Sequence, residues 1–207
     1  MLVIRRAEVK VVAVASVALL LAGCTSSPTV LPDVVVEHAG TSPLDENEWV
    51  VAVRATQLAQ ILAWNSGDYT TEQLRVSTSP AAIERYYASY AASARNGASP
   101  EVFVGPLIWA PISVSDFGDT AQLVVCVATQ DRRIDEEHPP TVYGLDTGIV
   151  ETWTYERLAS GAIERTDGHE SLDQCSAEMA EVLTFDPAPT LPEKINEGDI
   201  RAPADSD

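Results

Sequence analysis

Apolar positions first recur at helical spacing between Glu48 and Trp64, where Val51, Ala55, Leu58 and Leu62 share one face. Asp45 and Glu48 stand three residues apart as a capping box, and Gly67 follows the helix end. A shorter helical stretch covers Thr71 to Val76. A third helix starts with Ser79 as N-cap and Pro80 at the first helical position, then carries Ile83, Tyr87, Tyr90 and Ala94 along a stripe. Asn96-Gly97 and Pro100 end it.

Beyond Pro100 the period changes from 3.6 to 2. Val102 to Ser115 reads as a strand interrupted by Gly105-Pro106 and Pro111, which predicts bulges or an edge position. Asp116-Phe117-Gly118-Asp119 is a turn, and Thr120 to Thr129 alternates, with Ala121, Leu123, Val125 and Val127 on one face. Asp131 to Gly148 reads as a long polar loop. Ile149 to Leu158 and Ala162 to Thr166 form a second hairpin around Ser160-Gly161. Helices followed by hairpin-linked strands predict an α+β fold, with N-terminal helices packed on an antiparallel sheet.

The first 24 residues follow a different pattern. Arg5, Arg6 and Lys10 form a positive segment, and Val11 to Ala22 is an uncharged apolar run. That run is shorter than the ~20 residues a membrane span needs and reads as the apolar centre of a signal peptide. The paired arginines are similar to a twin-arginine signal, but Ala7-Glu8-Val9 lacks the hydrophobic residues that should follow, which favours ordinary secretion. Leu21-Ala22-Gly23-Cys24 resembles the lipobox of bacterial lipoproteins. The resemblance implies cleavage between Gly23 and Cys24 and a diacylglycerol on the Cys24 thiol. Two acyl chains give stable attachment where one is marginal. The implied location is the extracytoplasmic face of the cell membrane, with the membrane as a partner through that lipid.

The expected organisation is a signal peptide over 1–23, a lipidated flexible tether over 24–46, one α+β domain over 47–183 and an acidic, proline-rich disordered tail over 184–207. The tether is rich in Ser, Pro and Gly. Val34-Val35-Val36 within it fits a short strand as well, though the composition favours a spacer. Pro187, Pro189, Pro192 and Pro203 punctuate the tail.

Charge narrows the partners. The chain has 207 residues and a formal net charge of −18. Removing residues 1–23 removes Arg5, Arg6, Lys10 and Glu8 and leaves 10 basic against 30 acidic side chains. Such a surface repels phosphate backbones, which argues against nucleic-acid binding.

The element order, the Asp119-Thr120-Ala121 start of a strand reaching Cys126, the late hairpin and Cys175 after it together resemble the nuclear-transport-factor-2-like superfamily. That superfamily includes ketosteroid isomerases and many small lipoproteins. The likeness covers roughly residues 47–176 and implies a cone: helices over a strongly curved sheet, enclosing a pocket. No catalytic motif of that family can be placed here, so no catalytic residue is assigned.

Few residues stand out for chemistry. Cys126 and Cys175 remain after lipidation of Cys24, and in an oxidising compartment a leftover pair is most simply a disulfide. A redox pair is the lesser reading without a Cys-x-x-Cys spacing. His38, His138 and His169 lack ligand spacing, so no metal is assigned, and Asp135-Glu136-Glu137-His138 reads as a solvated acidic loop. Glu151 and Glu164 lie on strands; a carboxylate pointing into an enclosed pocket can serve as a general base, while an outward charge is the plainer expectation. Tyr86, Tyr87 and Tyr90 line a pocket or, more simply, fill the core. Of Trp49, Trp64, Trp109 and Trp153, at least two belong in the core. No cofactor is expected. The leading expectation is a non-enzymatic surface lipoprotein that binds an envelope protein or a small apolar ligand. A cone-fold isomerase, dehydratase or hydrolase using a buried acid and a structural subunit of an envelope or transport complex are the alternatives.

Overall fold

Three helices precede the main sheet in chain order and cover one of its faces. The computed structural model describes residues 32–98, 101–129, 133–134 and 145–203. Strand β1 (Asp33–His38) is followed by α1 (Glu48–Ser66), α2 (Glu72–Ser77) and α3 (Pro80–Arg95). Then come β2 (Val102–Phe103), β3 (Trp109–Asp116), β4 (Thr120–Ala128), β5 (Arg133–Ile134), β6 (Gly148–Arg157), β7 (Ile163–Cys175) and β8 (Val182–Asp186). A 3-10 turn at Glu197–Asp199 closes the described chain. The fold is α+β, and its centre is a curved antiparallel sheet in the order β3-β4-β6-β7. β1 pairs with β8, and β2 with β5, in two small antiparallel sheets.

Local chemistry sets the helix boundaries. The hydroxyls of Thr71 and Ser79 accept from the backbone N–H of Leu74 and Ala82, capping α2 and α3. Gly67 ends α1 in the left-handed conformation at φ 66°, which costs a glycine little. The expected cap on α1 needs correction: Asn47, not Asp45, accepts the Trp49 N–H at 3.0 Å. Asp45 instead accepts from Arg54 at 2.7 Å. The buried face of α1 is also rotated from the expected one. Trp49, Val50, Val53, Thr56, Ala59, Leu62 and Ala63 point inward, whereas Val51 and Ala55 face solvent. Apolar residues run nearly all round this helix, so its own period does not select the buried stripe.

Strand alternation divides the core in two. Ala121, Leu123, Val125 and Val127 of β4 meet Trp49, Val50 and Val53 of α1, with Trp109, Trp153 and Tyr155 from neighbouring strands. Burying each large side chain contributes about 1.5–3 kcal/mol. Cys126 and Ala128 point the other way, into a cluster with Ile108, Ala110, Ala177, Ala180 and Val182. The Cys126–Cys175 disulfide sits there, with Cα atoms 5.9 Å apart. A third cluster unites α1, α2 and α3 through Ala59, Ala63, Leu74, Ile83, Tyr69 and Tyr90.

Both ends differ from expectation. Residues 33–38, read as spacer, form β1 against β8, with Val34 opposite Phe185 and Val36 opposite Leu183. Three β-branched residues suit a strand once a partner exists, and that partner lies at the far end of the sequence. The segment read as a disordered tail is docked through Arg201: Ile195 and Ile200 pack beside the helical cluster, and Arg201 pairs with Asp68 at 3.0 Å. Strand β7 also runs past Thr166 to Cys175, because two register shifts against β6 absorb Thr166 and the polar Ser171–Asp173 stretch.

Candidate functional site

A cavity of about 560 Å³ opens where α1 and α3 diverge from the sheet. Three elements wall it. From α1 come Thr56, Gln57 and Gln60, and from α3 Ala82, Arg85 and Tyr86. Tyr155 of β6 and residues 163–168 of β7 complete the lining. Strand alternation explains Tyr155: two residues after the fully buried Trp153, it faces the same helix-covered side. A bulge explains Arg165. Tyr155 pairs with Arg165 and Thr154 with Asp167, so Thr166 is the extra residue. The bulge brings Arg165 over the Trp153 ring, its guanidinium carbon 5.1 Å from the centroid. Gly168 makes room, since a Cβ there would collide with the Arg165 guanidinium.

The arginines at the cavity are matched within the protein, while the Asp167 carboxylate accepts only from the Gly168 N–H, at 2.8 Å, among the described residues. Arg85 donates to Glu164 at 3.0 Å. Arg165 lies 3.5 Å from Glu151 and donates through Nε to the Asp167 carbonyl at 3.3 Å. The hydrogen bonds from Arg85 and Ser79 hold the Glu164 carboxyl below the usual range. Burial, reinforced by Tyr86 and Glu151 and opposed by Arg165, pushes the Tyr155 hydroxyl well up, and burial raises Tyr86 too. Both phenols stay protonated at neutral pH and can donate as well as accept.

Several uncharged groups in the lining have no protein partner. Tyr155 is 5% exposed, yet its hydroxyl makes no hydrogen bond among the described residues. The Gln60 amide and the Tyr86 hydroxyl are likewise unbonded among the described residues. Gln57 accepts from Trp109 Nε1 at 2.7 Å, which leaves its NH₂ unused. These groups open onto the cavity and are left to whatever fills it, water or a ligand.

A second, more open cavity of about 650 Å³ lies between the C-terminal half of α1 and the chain after β8. Leu62, Pro32, Pro187, Ala188 and Pro189 make its lining more apolar. It offers fewer groups that could fix a ligand's orientation.

The residues singled out from sequence fall in different places. Gly23 and Cys24, with the whole leader, lie outside the described residues, as do His138 and Asp135 to Glu137. His38 is in β1, its Nε2 3.1 Å from the Glu178 carbonyl, and His169 is an exposed residue of β7. No group of three metal-ligating side chains occurs among the described residues. Glu151 accepts from Trp153 Nε1 at 2.6 Å and is tied to Arg165, so it is neither a free outward charge nor open to the cavity. Glu164 does line the cavity. Tyr90 is core, edge-on to Trp64 at 4.9 Å, and Tyr87 packs against Tyr69, whereas Tyr86 lines the cavity. Trp49, Trp109 and Trp153 are buried.

Sequence reasoning passed over Tyr155, Gln57, Gln60, Arg85 and Arg165. For Tyr155 a signal existed, because it alternates in phase with Trp153. The other four are ordinary surface types until the two helices and the bulge converge.

The class of protein that fold and cavity define is a small α+β module with a polar pocket between helices and sheet. Protein-family models, curated proteins and solved structures give no match to the chain.

Proposed function

We propose that the chain is an exported lipoprotein, anchored through acylated Cys24, whose cone-like domain binds a small polar molecule without transforming it. The lipobox Leu21-Ala22-Gly23-Cys24 supports the anchor. Three helices ahead of a curved four-stranded sheet, with a cavity between the layers, support a nuclear-transport-factor-2-like arrangement. The observation that carries the binding reading is the hydroxyl of the otherwise buried Tyr155, which opens onto the cavity and is unbonded among the described residues. The lining favours a polar ligand over the apolar one expected from sequence. Against the enzyme alternative, Glu164 is held ionised by Arg85 and Ser79, the opposite of the upward shift a buried general base needs.

Two measurements test this. Cys24→Ser is expected to move the protein from the membrane fraction to the soluble fraction, or to leave it unprocessed, and to abolish incorporation of labelled fatty acid. Unchanged membrane partition with no label in the parent would overturn the anchor. For binding, saturation-transfer NMR of the full chain against a mixture of polar envelope metabolites should find ligands whose signal is lost in Gln60→Trp, which fills the cavity. Ligands that survive the block would sink the site, and ligands consumed over hours would replace binding with turnover.

A further inference from the structure

The chemistry of the cavity specifies more than polarity. Both of its arginines already have partners, Arg85 in Glu164 and Arg165 in Glu151 and the Asp167 carbonyl, while the Asp167 carboxylate, which also lines it, accepts only the Gly168 N–H among the described residues. An anionic ligand would meet guanidiniums that already face carboxylates, and the open Asp167 carboxylate would repel it. The other groups left open are neutral and of mixed character. They are the Tyr155 and Tyr86 hydroxyls, the Gln60 amide and the NH₂ of Gln57. A ligand that satisfies them needs several groups that donate and accept at once, set around a rigid frame.

Tyr86 adds a second requirement. It lines the cavity while 39% of it stays exposed, so part of its ring is open for an apolar surface. An aromatic face beside a fan of amides, hydroxyls and ion-paired planar groups suits a molecule with hydroxyls on its edge and C–H bonds on its face. The volume of about 560 Å³ lies within the range of ligand pockets and accommodates one or two sugar rings.

We infer that the cavity between α1, α3 and the β6–β7 hairpin is a saccharide site, taking a neutral pyranose ring whose hydroxyls meet Tyr155, Gln57 and Gln60 and whose C–H face lies on Tyr86. This rests on the binding reading above and narrows it to one ligand class. The ion pairs Arg85–Glu164 and Arg165–Glu151 form part of the walls and, with the Asp167 carboxylate, disfavour acidic sugars.

The test uses the full-length lipidated protein in a detergent free of glycosides, titrated calorimetrically and followed by saturation-transfer NMR. The probes are methyl glucoside, methyl mannoside, N-acetylglucosamine and maltose, with glucuronate and glucose 6-phosphate as charged counterparts and decanoate as the apolar control. At least one neutral sugar is expected to bind, with its charged counterpart at least tenfold weaker. Tyr155→Phe removes one hydrogen bond and should weaken the neutral sugar by about tenfold at unchanged Tm. Tyr86→Phe should keep most of the affinity and Tyr86→Ala should lose it. Charged sugars binding as tightly as neutral ones would overturn the inference. So would a neutral-sugar affinity indifferent to Tyr155→Phe and Tyr86→Ala. If decanoate or a non-sugar metabolite occupies the cavity while every neutral sugar fails, the saccharide assignment falls and the binding module stands. If neither these probes nor the metabolite mixture gives a signal that Gln60→Trp removes, both fall.

Discussion

At Gly148, covalent and packing constraints meet. The residue opposes Ala128 on β4 and Cys175 on β7, and a Cβ on it would sit 2.7 Å from Cys126 Sγ and 2.7 Å from the Val127 carbonyl oxygen. The missing side chain lets the disulfide cross beneath β6 from the second strand of the sheet to its edge. The bridge joins residues separated by 49 positions, and the chain-entropy account assigns about 4 kcal/mol to closing a loop of that size. The double variant Cys126→Ser/Cys175→Ser should therefore lose about 10 °C in Tm, read by calorimetry against the unreduced parent. A loss under about 2 °C would mean that the β4–β6–β7 ladder already holds the loop closed in the unfolded ensemble's accessible states. The two cysteines were visible in the sequence as a leftover pair. The glycine that accommodates them was not, because its role depends on two strands that meet only in the fold.

Among the elements, legibility followed locality. The caps Thr71 and Ser79, the Ser160-Gly161 turn and the alternating face of β4 are all set by neighbours within a few residues, and local reading found them or their elements. The buried face of α1, strand β1 and the docked C-terminal segment depend on partners far along the chain, and local reading missed them. The C-terminal segment shows how few contacts decide such a case. The Tyr69 backbone N–H donates to the Arg201 carbonyl at 3.1 Å, the Arg201 backbone N–H donates to the Gly67 carbonyl at 2.8 Å, and the Arg201 guanidinium meets Asp68. Burial alone would raise the Asp68 carboxyl; two hydrogen bonds from Thr70 and the Arg201 charge outweigh it and hold the group below its ordinary value. A depressed carboxylate stabilises the fold fully above its unfolded pKa of about 4 and loses that contribution as pH falls through the lower folded value. Hydrogen exchange over residues 195–203 should therefore accelerate on going from pH 6 to pH 3, after correction for the intrinsic rate. Asp68→Asn should give the faster, pH-independent exchange already at pH 6, at a stability cost of about 1 kcal/mol. Equal protection in both proteins at pH 6 would show that Ile195 and Ile200 alone hold the segment.

At the scale of the whole molecule, acid excess is the dominant physical property. Between Cys24 and Asp207 acids outnumber bases by 30 to 10. Most described arginines are committed to ion pairs: Arg54 to Asp45, Arg85 to Glu164, Arg95 to Glu197, Arg157 to Glu48, Arg201 to Asp68. The remaining carboxylates repel one another across a small domain. On the proposed lipid anchor, that repulsion would keep the domain standing off anionic headgroups. It also fixes the sign of the salt response. Screening weakens exposed ion pairs, each worth about 0–1 kcal/mol, and at the same time weakens a larger number of longer-range repulsions. The net effect should be stabilisation: Tm is expected to rise by about 2–4 °C between 20 and 300 mM KCl, equivalent to about 1 kcal/mol for a domain of this size. Charge-reversing the paired arginines should enlarge the rise, since each reversal converts an attraction into another repulsion. A Tm that falls with added KCl would show the opposite balance, with the arginine pairs outweighing the acid excess and the surface charge acting as part of the fold's support rather than as a load on it.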